Sequence, residues 1–225
     1  MISDNCEWRI GCSGAQLDRL RTVRRFHQIL ALARLINALG FSQISTVHAN
    51  DLVGPAGTRQ RINGFFLLNA LLFEGFRLAQ GMAKEFRTPA AWGSGLGAIL
   101  KDPRFSDLFS EHRKPARDKL TFHIDDAEIA RLISEFPTDD VTLVCGRGPA
   151  VRDTYDDLSD VLAFHAVVGP VPSHAALNCR FAGLLPVARD MAIAFVEAAE
   201  GLVLAILKDM GFKSEVMGNQ SKAEE

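Results

Sequence analysis

The stretch that most constrains the fold is a long apolar run in the first half of the chain. Residues 65–73 read FFLLNALLF, so a helix built from them is apolar on every face except the one that carries Asn69. Such a helix is stable only when other elements cover it on most sides. We therefore expect residues 57–86 to form the central helix of a bundle. Asn69 and Glu74 would be partly buried there and would need partners, either in the packed structure or in a pocket.

Further long helices are expected around the central one. Their apolar residues recur at helical spacing, and Gly40, Gly169 and Gly211 stand where helices usually end. Shorter helices are expected at 96–100 and from 102 to 106, whereas 41–55 is a connection and 171–185 is irregular. The sequence thus predicts an all-α bundle of long antiparallel helices with short accessory helices. The long helices, besides 57–86, span 15–39, 153–168 and 186–210, and a short helix is expected at 126–135.

A single helical domain is expected over residues 15–212. Residues 1–14 are interpreted as a loose leader, and residues 213–225 are a polar tail that we expect to be mobile. Two β-like runs, 120–124 and 141–145, leave open one small hairpin. Helix is preferred for the first of them because a proline opens the segment.

Composition narrows the classes of partner and the compartment. The 25 basic and 27 acidic side chains nearly cancel, which argues against a general nucleic-acid coat protein but leaves room for a local basic patch. No uninterrupted apolar run is long enough for a membrane span, and the N-terminus lacks the apolar core of a signal peptide. The cysteines form no C-x-x-C and no zinc spacing, so we expect reduced thiols in a cytoplasmic protein without metal or cofactor. They are Cys6, Cys12, Cys145 and Cys179.

Residues able to do chemistry cluster in the stretch 114–123, KPARDKLTFH. Pro115 suits the first turn of a helix, where its missing N–H costs nothing. Asp125 with Glu128 three residues later predicts a capping box that opens the next helix. An arginine, an aspartate, a lysine and a histidine therefore fall on about two turns between a start and a stop signal.

This stretch resembles a known family. Arg117 is followed by polar Asp118, and five residues separate Arg117 from His123. This pattern is similar to the R-x4–6-H motif of the HEPN superfamily (higher eukaryote and prokaryote nucleotide-binding domains). The resemblance implies an all-α bundle. Many members of the superfamily are metal-independent ribonucleases whose site forms where two protomers meet, and other members are inactive binding or scaffold modules. The resemblance implies one of these two roles for this chain. It covers 15–212 in architecture and only 117–123 in specific residues.

The resemblance implies an endoribonuclease of the toxin or phage-defence type that acts as a homodimer on RNA. The catalytic candidates are Arg117, His123 and Asp118, and the substrate-binding candidates are Arg113, Lys114 and Lys119. An antitoxin or another protein is a further partner that this class implies. The alternative is a non-catalytic HEPN-like module that binds a partner protein or a nucleotide, with a groove beside residues 65–73 as its site.

The residue types fit metal-free RNA cleavage. Histidine serves as base or acid near neutral pH, and arginine is a permanent fork-shaped cation that matches a phosphate. On a regular helix Arg117 and His123 would point about 120° apart, so one helix alone would not focus both on one phosphate. Two copies related by a two-fold axis would, as would an irregular helix end. The structural alternative is an exposed turn with local ion pairs beside a packed histidine.

Other clusters have plainer interpretations. The glycines at 93, 95 and 97 do not match the spacing of a phosphate-binding loop, and we expect them to turn the chain into a short helix. The acidic side chains of 153–160 suit a helix N-terminus better than a metal. Glu197 and Glu200 lack the histidines of a di-metal bundle. The arginines of the first helix favour a solvated face over a phosphate-contacting edge; they are Arg19, Arg21, Arg24 and Arg25.

Overall fold

Helices dominate the architecture, which confirms the predicted all-α class. The computed structural model describes residues 7–48, 55–86, 90–106, 126–137, 145–146 and 155–217. The long helices are α2 (Arg24–His48), α3 (Pro55–Met82), α7 (Asp126–Glu135), α8 (Asp157–Val168) and α9 (His174–Asp209). The short helices are α1 (Gly14–Leu20), α4 (Ala90–Ser94), α5 (Leu96–Ile99) and α6 (Pro103–Ser106), and the strands are β1 (Glu7–Gly11), β2 (Cys145–Gly146), β3 (Tyr155–Asp156) and β4 (Lys213–Met217).

The predicted central helix is α3, which packs against α2, α8 and α9. It runs antiparallel to α2: Ser42 Oγ donates to the Gly64 carbonyl at one end, and Arg24 pairs with Glu85 at the other. The apolar run that suggested this role lies in the core, with Phe65 and Leu72 almost fully buried. Each such buried side chain contributes roughly 1.5–3 kcal/mol to the stability of the fold.

Aromatic side chains join α3 to the helices that cover it. The ring of Phe65 meets Phe181 of α9 edge-on at 5.0 Å, and Phe76 stacks on Phe105 of α6 at 5.9 Å. Phe105 also lies 6.3 Å from Phe195 of α9. The core is therefore continuous from the central helix through the short helix α6 to α9.

The first long helix differs from its predicted bounds at both ends. The chain turns at residues 21–23 between α1 and α2, and α2 then continues through Gly40 to His48. The helix continues beyond Gly40 because Leu39 and Ser42 are fully buried against the bundle. The stabilisation from this packing outweighs the preference of glycine for ending a helix. The break at 21–23 places α1 across the end of α9, where the Gln16 side chain donates to the Met210 carbonyl.

The last long helix begins well before the predicted start at Pro186. Residues 174–185, which were predicted to be irregular, are the first turns of α9, and Ser173 caps them by accepting from the Ala176 N–H. Proline inside a helix removes one hydrogen bond and costs about 3 kcal/mol. Burial of Leu177 and Phe181 on the core side offsets that cost. The predicted end is confirmed, since Gly211 adopts φ +80° and closes the helix.

The two ends of the described chain pair with each other. Strand β1 runs antiparallel to β4, with Arg9 opposite Glu215. These segments lie within the predicted leader and the predicted tail, and a backbone ladder joins them. Strands β2 and β3 form a second short pair. The hairpin proposed between 120–124 and 141–145 falls almost wholly outside the described residues.

Helix α3 is long and apolar enough to cross a membrane over Arg59–Met82. Within the bundle, 61% of its most apolar window is buried by other parts of the protein. The central helix of a bundle meets the same criteria of length and composition. A cytoplasmic location stays a prediction from the sequence.

One glycine of α3 marks the closest approach of three helices. A Cβ added at Gly75 would lie 2.8 Å from Leu35 Cδ2 of α2 and 2.8 Å from Phe195 Cζ of α9. We expect Gly75→Ala to lower the free energy of unfolding by about 1–2 kcal/mol, since overpacking outweighs the helix propensity gained. Gly81→Ala on the same helix meets nothing within 4 Å and should raise it by about 0.5–1 kcal/mol. Urea unfolding of both variants checks the opposite signs; equal effects would contradict this packing.

Candidate functional site

The predicted catalytic and substrate-binding residues lie outside the described residues. The structure describes the helices on either side of them, α6 before and α7 after. The site residues concerned are Arg113, Lys114, Arg117, Asp118, Lys119 and His123.

Helix α6 fixes the chain that leads into the motif. Phe105 is fully buried between Phe76 and Phe195, although α6 is only one turn long. Asp102 accepts hydrogen bonds from the Arg104 backbone N–H and guanidinium, the shortest of them 2.6 Å. The hydrogen bonds from that side chain lower the pKa of Asp102 below its ordinary value. The chain is thus anchored in the core at Phe105, twelve residues before Arg117.

Helix α7 begins at Asp126, as the capping signal after the motif predicted, and ends at the predicted Glu135. Its Leu132 is 1% exposed, and the carboxylate of Glu128 is buried with Arg131, 2.7 Å away. Hydrogen bonds to Glu128 and then Glu135 raise the pKa of Arg131, which therefore stays charged. Phe136 meets the buried ring of His165 edge-on at 5.6 Å and joins α7 to α8.

An open groove of about 490 Å³ lies between α9 and residues 91–102, which include α4 and α5. Its lining is made of small side chains apart from Ile99 and two carboxylates, Asp102 and Glu197. Carboxylates repel phosphate, and the lining contains no histidine and no cation to stabilise a phosphorane. The sequence reading missed this groove because its lining comes from segments about 100 residues apart, and Ala and Gly give no chemical signal.

The glycine cluster beside the groove has a packing role. A Cβ at Gly95 would meet the Ala91 carbonyl oxygen at 2.6 Å and the Ala198 carbonyl oxygen of α9 at 3.2 Å. The cluster lets α4 and α5 cross close to α9, and the short helix predicted after it is α5. This supports the interpretation as a turn into a helix over that as a phosphate loop.

The basic edge near α1 and α2 is largely engaged within the protein. Arg21 pairs with Asp18 at 3.0 Å, Arg24 pairs with Glu85 at 3.1 Å, and the Arg25 guanidinium lies 4.9 Å over the Phe86 ring. The two ion pairs are exposed and contribute little to stability. The arrangement favours the solvated-face interpretation over a phosphate-contacting edge.

The polar positions of the central helix differ from expectation. Glu74 is exposed and lies 3.9 Å from Arg77, so it is not the partly buried group that the sequence predicted. The buried carboxamide atoms of Asn69 have no hydrogen-bond partner in the described part of the chain. In the described part of the chain, residues 65–73 pack mostly into the core. Within the same part, no group of three or more His, Cys, Asp or Glu side chains could hold a metal ion.

No protein-family model matches the chain, and searches of curated proteins and of solved structures found no similar protein. The resemblance to the HEPN superfamily therefore depends on the motif and on the all-α architecture.

Proposed function

We propose that the protein is a HEPN-like, metal-independent endoribonuclease that acts as a homodimer on RNA. What supports the proposal is the R-x4–6-H spacing of Arg117 and His123 in a chain whose described residues form an all-α bundle. The stretch from Arg117 to His123 falls between two segments whose core side chains, Phe105 and Leu132, are almost fully buried.

The chemistry needs no metal. His123 takes the proton from a ribose 2′-OH, whose oxygen then attacks the neighbouring phosphorus. Arg117 stabilises the negative charge that develops on the phosphorane oxygens, and Asp118 orients one of the two. The P–O5′ bond breaks, the 5′ oxygen takes up a proton, and a 2′,3′-cyclic phosphate remains. Arg113, Lys114 and Lys119 contact flanking phosphates, which adds a salt-dependent part to the binding.

The proposal is tested by incubating the purified protein with labelled single-stranded RNA in excess EDTA. We expect cleavage with cyclic-phosphate ends, and none of DNA with the same sequence, because DNA lacks the attacking 2′-OH. Loss of cleavage on chelation, or ends without the cyclic phosphate, would contradict a metal-free attack by the 2′-OH.

A second candidate is a non-catalytic all-α module that binds a protein. The observation that favours it is the exposure of large apolar side chains on α2, of which Phe41 is 66% exposed. A folded protein that leaves RNA intact under every condition, yet binds a different protein through α2, would support this function over the ribonuclease.

A further inference from the structure

The solvent side of α2 carries a stripe with the spacing of a helix–helix seam. Leu30 and Ile44 are 50% and 58% exposed, and Phe41 is the most exposed large hydrophobic side chain in the described part of the chain. The opposite face of the helix lies in the core, as the burial of Leu32 and Leu39 indicates. Steps of alternately four and three residues keep a stripe turned toward one partner helix. The stripe consists of Leu30, Arg34, Asn37, Phe41 and Ile44.

The positions that flank the stripe are small. A helix face that meets only water usually carries charged and polar side chains. Here Arg34 is the only charged residue from 28 to 47. Small flanks allow a second helix to approach toward the lower end of the usual range, about 8–10 Å between axes. The flanking residues are Ala31, Ala33, Ala38 and Gly40.

We propose that this stripe is where a second copy of the chain docks, with the two α2 helices antiparallel. A two-fold axis between residues 35 and 36 pairs positions whose numbers sum to 71. Leu30 then packs on the partner's Phe41, Arg34 lies beside the partner's Asn37, and Ile44 covers the partner's His27.

The stripe is complementary to itself in this register. Apolar Leu30 and Phe41 meet each other twice, on the two sides of a polar centre. There the guanidinium of Arg34 donates to the carboxamide oxygen of the partner's Asn37. A polar pair within an apolar seam fixes register and orientation at some cost in affinity. The seam from Leu30 to Ile44 is about 21 Å long, which suits a small interface and a micromolar dimer.

This surface deepens the proposed function, since a shared catalytic site needs two copies. The inference is measured by molecular mass and not by cleavage, so either proposal can fail while the other stands.

Analytical ultracentrifugation of Ile44→Glu and Ile133→Glu tests the surface. Ile133 on α7 is 58% exposed, as Ile44 is, but lies outside the stripe. We expect the parent and Ile133→Glu to dimerise alike. The Kd of Ile44→Glu should rise about 100-fold, roughly tenfold for each of its two occurrences in the dimer. A monomeric parent, or equal effects of the two substitutions, would overturn the proposal.

The register is tested by the double variant His27→Lys/Ile44→Glu. Residues 27 and 44 lie about 25 Å apart along one helix, so the new charges meet only across the two-fold axis. We expect the double variant to recover most of the affinity lost in Ile44→Glu, in a salt-dependent manner. Failure to recover would overturn the antiparallel register.

Unfolding curves of the monomers should stay close to the parent's. A loss of stability confined to Ile44→Glu, without a change in mass, would show that the chain's own segments cover the stripe.

Discussion

Replacing Phe195 with alanine is expected to lower the free energy of unfolding by about 3–5 kcal/mol. The ring is fully buried where α3, α6 and α9 meet. It lies 6.3 Å from the Phe105 ring, and its Cζ fills the space above Gly75. Truncation would leave a cavity at the one point that all three helices share. Such a loss is a large part of the roughly 5–15 kcal/mol that stabilises a typical domain.

The matched control is Phe41→Ala, the same substitution at a ring that is 66% exposed. We expect a change of about 0.5 kcal/mol or less at a protein concentration where the chain is monomeric. Denaturant unfolding of both variants and of the parent measures the difference. Similar losses in the two variants would show that Phe195 is not the centre of the core.

Replacing His123 with alanine is expected to reduce RNA cleavage by about 10²–10⁴-fold, because the proton transfers lose their catalyst. Arg117→Ala should reduce it by about 10²–10³-fold, since the phosphorane loses its cation. Arg117→Lys keeps the charge but not the forked pair of N–H donors, so we expect an intermediate rate. Single-turnover cleavage of a labelled RNA in EDTA measures all three.

The control for these variants is Lys119→Ala. If Lys119 only contacts a flanking phosphate, its replacement should raise KM and leave kcat nearly unchanged. Unfolding midpoints should match the parent's in every case. If His123→Ala and Arg117→Ala cut RNA as the parent does, the assignment of the catalytic pair is wrong.

The fold class could be predicted because the strongest signals were local. Residues 65–73 are apolar on nearly every face, which only a covered helix tolerates, and α3 is that helix. The capping signal at 125–128 and the glycine at 211 likewise act within a turn or two of chain. Both gave the right helix ends, at Asp126 and Asp209.

The errors arose where packing between distant segments outweighs local preference. Pro186 is a strong stop signal by itself, but α9 passes through it because Leu177 and Phe181 are buried on α3 and its neighbours. Gly40 is likewise a local stop signal, but α2 continues past it because Leu39 is buried in the core. The pairing of β1 with β4 joins segments about 200 residues apart and leaves no mark in either one.

The candidate site was predicted from spacing alone. The sequence shows which side chains the motif from Arg117 to His123 carries and how far apart they lie along the chain. Whether two of them reach one phosphate depends, in the proposed dimer, on how two copies of the chain meet. Surface burial and exposure, as at Leu30 and Phe41, depend on tertiary structure in the same way. Residue types thus suggested the proposed chemistry, whereas the proposed docking surface on α2 could be identified only from the folded structure.

The central claim is that two copies share Arg117 and His123 in one RNA-cleaving site. It is tested most directly by mixing equal amounts of the Arg117→Ala and His123→Ala proteins and measuring RNA cleavage in EDTA. Each protein alone should be nearly inactive. The mixture should regain a substantial fraction of parental activity, because a mixed dimer holds one intact arginine and one intact histidine across its axis. A mixture as inactive as its components, under conditions where the two chains exchange, would contradict the shared site.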